Sequence, residues 1–205
     1  MRKLIAAAFV SLDGVMQAPG GPDEDPSESF AVGGWTAPFW AEDTDPFMGV
    51  FEKADDQPFD LLLGRKTYDI FAAYWPVHQE IPIGPLFDRV TKYVATSTPE
   101  TLAWQNSVGL TGDVPAEIAK LKQGDGPDLL TQGSSVLLHA LLAHDLVDEL
   151  RLMTFPVVLG QGKRWYGTGS APAGFALDRT VTFSTGVISS LYRRAGEIRT
   201  GTVGE

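Results

Sequence analysis

Residues 126–150, GPDLLTQGSSVLLHALLAHDLVDEL, hold two hydrophobic periods in direct succession. Leu129 and Leu130 end a short apolar strand and Gly133 makes a turn. A helix then starts at Ser134 or Ser135 and carries Leu137, Leu138, Leu141 and Leu142. An earlier stretch repeats the pattern. FDLLLG (59–64) is a short buried strand, and RKTYDIFAAYW (65–75) has helical spacing, with Tyr68, Phe71, Ala72 and Trp75 on one face until Pro76 ends it. A strand that runs straight into a helix needs that helix to cross over to a parallel neighbour. Two such units therefore commit the chain to an α/β fold with a mainly parallel sheet.

The remaining elements agree. KLIAAAFV (3–10) is apolar throughout, as a strand covered on both faces is. TKYVATS (91–97) and RLMTFPVVLG (151–160) are further strands, and VPAEIAKLKQG (114–124) is a helix closed by Gly124. VTFSTGVISSLYRRA (181–195) predicts a terminal strand pair or one long bent strand, so the chain closes in strands with an antiparallel edge to the sheet. DPFMGVFEKADD (45–56) suits a short helix with Asp45 at the N-cap and Pro46 after it. Between these elements lies an irregular segment, roughly 14–45, rich in Gly, Pro, Asp and Glu. A loop of that length in a compact domain is a functional lid or a disordered insert. Its Phe30, Trp35, Phe39 and Trp40 predict that parts of it pack onto something. A length of 205 residues, 43% hydrophobic, suits one domain over 1–205, with no internal repeat.

Composition and motifs exclude several chemistries. The net charge is −10 and there is no dense basic run, so nucleic acid is not an expected partner. Cysteine is absent, which removes disulfides and thiolate catalysis. The apolar start, Leu4–Val10, is too short for a signal peptide and no stretch suits a bilayer span, so a cytoplasmic protein without a membrane partner is expected. No G-x-x-x-x-G-K-[ST], G-x-G-x-x-G or G-x-S-x-G motif occurs in a usable setting. His78, His139 and His144 lack metal-ligand spacing, so no metal site is expected.

What remains is the pair of strand-to-helix junctions. Each supplies a glycine, a hydroxyl and a helix N-terminus, where unpaired N–H groups and the positive end of the dipole attract phosphate. Gly64, Arg65, Lys66 and Thr67 form one, and Gly133, Ser134 and Ser135 the other. Set side by side in one sheet, they hold the two halves of a dinucleotide. Arg65 and Lys66 add cations where phosphate charge collects, although a helix cap with solvated cations explains the same residues.

SLDGVM (11–16), LLLGRKTYDIF (61–71), YVATS (93–97), LLTQGSSVLL (129–138) and PVVLGQG (156–162), in this order, resemble the dihydrofolate reductase-like superfamily. The nearer match is the branch that contains the reductase domain of riboflavin biosynthesis, and it covers roughly residues 2–193. The resemblance implies a three-layer fold with a central, mostly parallel sheet, an antiparallel C-terminal edge and helices on both faces. It implies NADPH as cofactor and hydride transfer to a small heterocyclic substrate, such as the pyrimidinone of riboflavin biosynthesis or a dihydrofolate. It implies that Gly64, Arg65, Lys66 and Thr67 hold the adenosine-side phosphates, with Arg65 on the ribose 2′-phosphate. Thr96 and Ser97 then lie near the adenosine ribose, Gly133, Ser134 and Ser135 at the pyrophosphate, and Ala7, Ala8 and Ser11–Gly14 beside the nicotinamide. Asp13, Asp45 and Glu52 are the catalytic carboxylate candidates, Asp13 having a turn role as its plainer alternative. Lys163 and Arg164 are the cations available to a phosphorylated sugar, and Trp35, Phe39, Trp40 and Phe47 the aromatic walls available to a planar ring. The branch implies a homodimer and a stand-alone reductase domain, with no zinc signature of a deaminase half. A ligand-binding domain that kept the cleft without catalysis is the alternative.

Overall fold

The computed structural model describes residues 1–44, 50–51, 59–167 and 170–204. Eight strands form one sheet: β1 (Leu4–Ser11), β2 (Asp60–Gly64), β3 (Lys92–Ala95), β4 (Ser107–Leu110), β5 (Leu129–Gln132), β6 (Glu149–Phe155), β7 (Gly174–Thr182) and β8 (Ile188–Gly196). Their order is β4-β3-β2-β5-β1-β6-β8-β7. The six from β4 to β6 run parallel, while β8 pairs antiparallel with both β6 and β7. Four α-helices accompany them among the described residues: α1 (Arg65–Tyr74), α2 (Gly84–Arg89), α3 (Val114–Gln123) and α4 (Ser135–Ala143).

Alternation along the central strands sends side chains to two cores. Leu4, Ala6, Ala8 and Val10 of β1 join Leu62, Leu129, Ile118 of α3 and the leucines of α4 on one face. Ile5 and Ala7 join Leu61, Leu63, Leu130, Tyr68 and Phe71 of α1 and Leu86 and Phe87 of α2 on the other. This is the expected three-layer arrangement, and it explains why β1 reads as apolar throughout. Two expectations need adjusting, and a third falls largely on residues that are not described. The strand sought over 151–160 runs instead over Glu149–Phe155 and stops before Pro156. The terminal pair starts earlier, because Gly174–Thr182 forms its outer strand. The helix proposed for 45–56 lies almost wholly outside the described residues.

The segment after β1 packs onto the α1–α2 face as predicted. Val15, Ala18, Phe30 and Trp35 are buried there. Trp35, Phe39 and Trp40 all meet Phe155 edge-on, with ring centroids 5.5, 5.9 and 5.9 Å away. Two short 3-10 turns, Ser27–Ser29 and Ala37–Phe39, are the regular structure of residues 14–44. Among the described residues no helix is long and apolar enough to cross a membrane.

Candidate functional site

Strands β2 and β5 are parallel neighbours, so their C-terminal ends carry the N-termini of α1 and α4 to the same edge of the sheet. The Ser134 hydroxyl connects the two junctions. It accepts from the Gly64 N–H at 3.0 Å and donates to Thr67 Oγ1 at 2.9 Å. Ser134 is the N-cap residue of α4, yet its side chain makes no cap bond to that helix. The turn before it requires Gly133, at φ +65°, and Ser134 itself is left-handed at φ 54°. No side chain caps α1 either, and neither helix has an acidic residue in its first turn. In contrast, α3 starts elsewhere and is capped by Asp113, which accepts from the Ala116 N–H at 3.1 Å. The two uncapped helix ends thus present their first-turn N–H groups together.

A cleft of about 440 Å³ opens at this edge, where ligands bind in open parallel sheets. Ala8, Gly64, Arg65, Lys66, Thr67, Gly133, Ser134 and Ser135 line it, together with Phe9, Gln17, Glu24, Asp25, Gln132 and Lys163. Arg65 is oriented from two sides. Its Nε donates to Asp69 at 2.8 Å, and one terminal nitrogen donates to Thr98 Oγ1 at 2.8 Å, Thr101 Oγ1 at 2.6 Å and Thr96 Oγ1 at 3.3 Å. Lys66 reaches across the cleft to Asp25, 2.7 Å away, and Lys163 meets the same carboxylate at 2.8 Å. Burial pushes the Asp25 carboxyl up, but hydrogen bonds from Lys163, Lys66 and Ser27 outweigh it and hold the group well below its ordinary value. Next to it, burial pushes Glu24 up, against the Gly20 and Gly21 N–H groups at 2.6 and 3.2 Å.

Residues 2–189 match the family model of the RibD C-terminal domain. The chain belongs to that reductase-like family. Two proteins of Bacillus subtilis (strain 168) are similar to it. The uncharacterized protein YyaP is 29% identical over 95% of this chain and 96% of its own length. The uncharacterized protein YwjB is 27% identical over 78% and 80%. Solved structures share the dihydrofolate reductase-like fold. A putative riboflavin biosynthesis protein from Shewanella sp. PV-4 superposes with a TM-score of 0.64 at 21% identity, covering 94% of this chain and 99% of that one. A dihydrofolate reductase from Enterococcus faecalis, complexed with NADP(H) and RAB-propyl, gives 0.54 at 18% identity, covering 94% and 96%.

Not every residue singled out by sequence lines the cleft. Thr96 stands behind Arg65 as a hydrogen-bond acceptor, and Ser97 is exposed. Asp13 also lies apart from the lining. It accepts from Ser11 Oγ at 2.7 Å and from the Leu159 and Gly160 N–H groups at 3.1 and 2.9 Å, fastening the turn after β1 to the loop after β6. Asp45 and Glu52, like Phe47, lie outside the described residues. Sequence reasoning passed over Gln17, Glu24, Asp25 and Gln132. The first three sit in a segment without periodicity, where no local pattern marks one polar residue above another.

Proposed function

We propose that the protein is an NADPH-dependent reductase of a small heterocyclic substrate. The observation that carries this is the pair of uncapped helix N-termini, held side by side by the Ser134 hydroxyl at the carboxyl edge of the sheet. Such donors fit the phosphates of a dinucleotide. Family membership and the dihydrofolate reductase-like fold support the same conclusion. Gly64, Lys66 and Thr67 would hold the adenosine-side phosphates and Gly133, Ser134 and Ser135 the pyrophosphate. Arg65, aligned by Asp69 and the threonines, would face the ribose 2′-phosphate with its planar fork. When bound, the cofactor supplies the hydride; the protein supplies position and a water-poor cleft. Ala8 and Phe9 in the C-terminal half of β1 would flank the reacting ring. Gln132 Oε1, buried without a partner, would accept an N–H from the bound ligand.

Fluorescence-quenching titrations with NADPH and NADH test this. Micromolar binding of NADPH is expected, and Arg65→Ala should weaken NADPH at least tenfold more than NADH. An absence of binding at millimolar cofactor would sink the proposal, and equal losses would remove Arg65 from the 2′-phosphate. Dinucleotide binding without turnover is the alternative, favoured by one observation: the described carboxylates lining the cleft, Glu24 and Asp25, are both already engaged. Binding with no NADPH oxidation across dihydrofolate and ribosylated pyrimidinones would select it.

A further inference from the structure

Asp25 brings together three segments far apart in the chain. Its Oδ1 accepts from Lys66 on α1 and its Oδ2 from Lys163 in the loop after β6. Ser27 Oγ sits between the same two ammonium groups, 2.8 Å from Lys66 Nζ and 2.7 Å from Lys163 Nζ. Two cations and a carboxylate of the cleft lining are therefore in mutual contact, with the Ser27 hydroxyl bonded to all three. The carboxylate side chain is 9% exposed and that of Lys66 54%, so the cations are reachable from the cleft and the anion is tucked beneath them. One positive charge is left over. A phosphate dianion in the place of Asp25 would bring the two lysines to neutrality, which a single carboxylate does not.

The segment that carries Asp25 is a surface loop tied to the core by buried Gln17, whose Nε2 donates to the Asp25 and Ser27 carbonyls at 3.0 and 2.9 Å, so releasing Asp25 with its loop breaks these bonds along with the ion pairs. Its ends meet: Gly33 packs so closely on Gly21 and Pro22 that a Cβ there would lie 2.6 Å from both their carbonyl oxygens, and Gly34 N–H bonds to Ala18 O at 2.8 Å. The residues between form a compact surface loop closed at its base. Phe30, buried on the core, fixes one side of it, while residues 22–29 carry no buried apolar side chain. A displaced Asp25 also keeps partners inside its own loop, since it accepts from the Ser27 hydroxyl at 2.6 Å and the Ser27 N–H at 3.2 Å.

We propose that Asp25 occupies the seat of a phosphomonoester on the Lys66–Lys163 pair, and that the phosphate of a bound ligand displaces it. The loop is thus an internal competitor, released by the phosphorylated ligand and re-seated when that ligand leaves. A phosphorylated substrate would bring this group while Arg65 keeps the 2′-phosphate of the cofactor assigned above; were the 2′-phosphate itself the occupant, which rests on that cofactor assignment, it would sit on the lysine pair instead of on Arg65.

Calorimetric titration of the wild type and Asp25→Asn with NADP⁺, NAD⁺ and ribose 5-phosphate tests the proposal. Removing the competitor should tighten one phosphomonoester on the order of tenfold while NAD⁺ stays within about twofold. NADP⁺ tightening assigns the seat to the cofactor, and ribose 5-phosphate tightening assigns it to the substrate. Hydrogen exchange on the wild type gives a second measure that needs no variant: protection of residues 22–29 should fall when the phosphorylated ligand binds. Equal or weaker phosphate binding by Asp25→Asn, with exchange unchanged in the wild type, would overturn the proposal and leave cofactor binding standing. If neither dinucleotide binds, the cofactor assignment fails alone, because ribose 5-phosphate still reports on the lysine pair.

Discussion

Ser134 performs a task that its position in the sequence disguises. At a helix start a serine ordinarily caps its own helix, accepting from an N–H two or three residues ahead. Here the hydroxyl turns sideways and ties α4 to the Gly64–Thr67 turn, leaving both helix ends open for a ligand. Ser134→Ala would leave the Gly64 N–H without its acceptor and the two junctions without their link. The expected loss is about 1 kcal/mol of stability by urea unfolding, with NADPH binding weakened several-fold. An unchanged midpoint and an unchanged dissociation constant would show that the sheet alone holds the junctions. The glycines, Arg65, Lys66 and the serines were legible in the sequence because a strand-to-helix turn restricts what can stand there. Asp25 was not, because its partners are 41 and 138 residues away and GPDEDPSES offers several carboxylates with nothing local to choose among them.

Among the elements, legibility followed burial. Strands β1, β2 and β5 and helices α1 and α4 are covered on the side that matters and show clear apolar patterns. The pieces without such patterns were missed: β4 has four residues, α2 has six and opens on Gly84–Pro85, and β7 is an outer strand with most residues exposed. What joins elements is harder to read still, and Asp13 is the example. The Ser11 hydroxyl first, then the Leu159 and Gly160 N–H groups, hold its carboxyl down at about 2 from an ordinary 3.8. Between those values the unfolded chain binds more protons than the folded one. The stabilisation is therefore complete above about pH 4 and lost as pH falls through about 2. The group is partly open to solvent, so the contribution is roughly 1–2 kcal/mol. Asp13→Asn should lower the urea midpoint at pH 6, and the gap to the wild type should shrink to a small fraction of that by pH 2. A gap undiminished at pH 2 would mean that the carboxylate's charge is not what fastens the two loops.

At the scale of the whole molecule, clusters of paired charge stand at both edges of the sheet among the described residues. At the N-terminal edge, charges pair with one another away from the cleft described above: Arg2 with Asp60 at the start of β2, Lys122 with Asp148 before β6, and Glu149 with Arg151 at the start of β6. Lys92, at the start of β3, is fully buried and satisfied by the Asp88 and Gln105 carbonyls at 2.8 and 2.9 Å. At the C-terminal edge, Lys66, Lys163 and Asp25 line the open cleft instead. The first set holds the strand ends in register; the second is available to a ligand. Asp60→Ala separates the two roles. Arg2, with a side chain 4% exposed, would keep its charge, the Pro127 carbonyl and the Tyr93 ring, but lose its counter-ion, and Thr91 N–H would lose an acceptor. Removing one partner of a buried pair costs about 3–5 kcal/mol, so a large drop in the urea midpoint is expected. The cleft lies at the far ends of the same strands, so the NADPH dissociation constant of the folded variant should stay within about twofold of the wild type. A variant that remained as stable as the wild type, or one that stayed folded but bound NADPH tenfold more weakly, would show that the two edges do not divide stability and binding in this way.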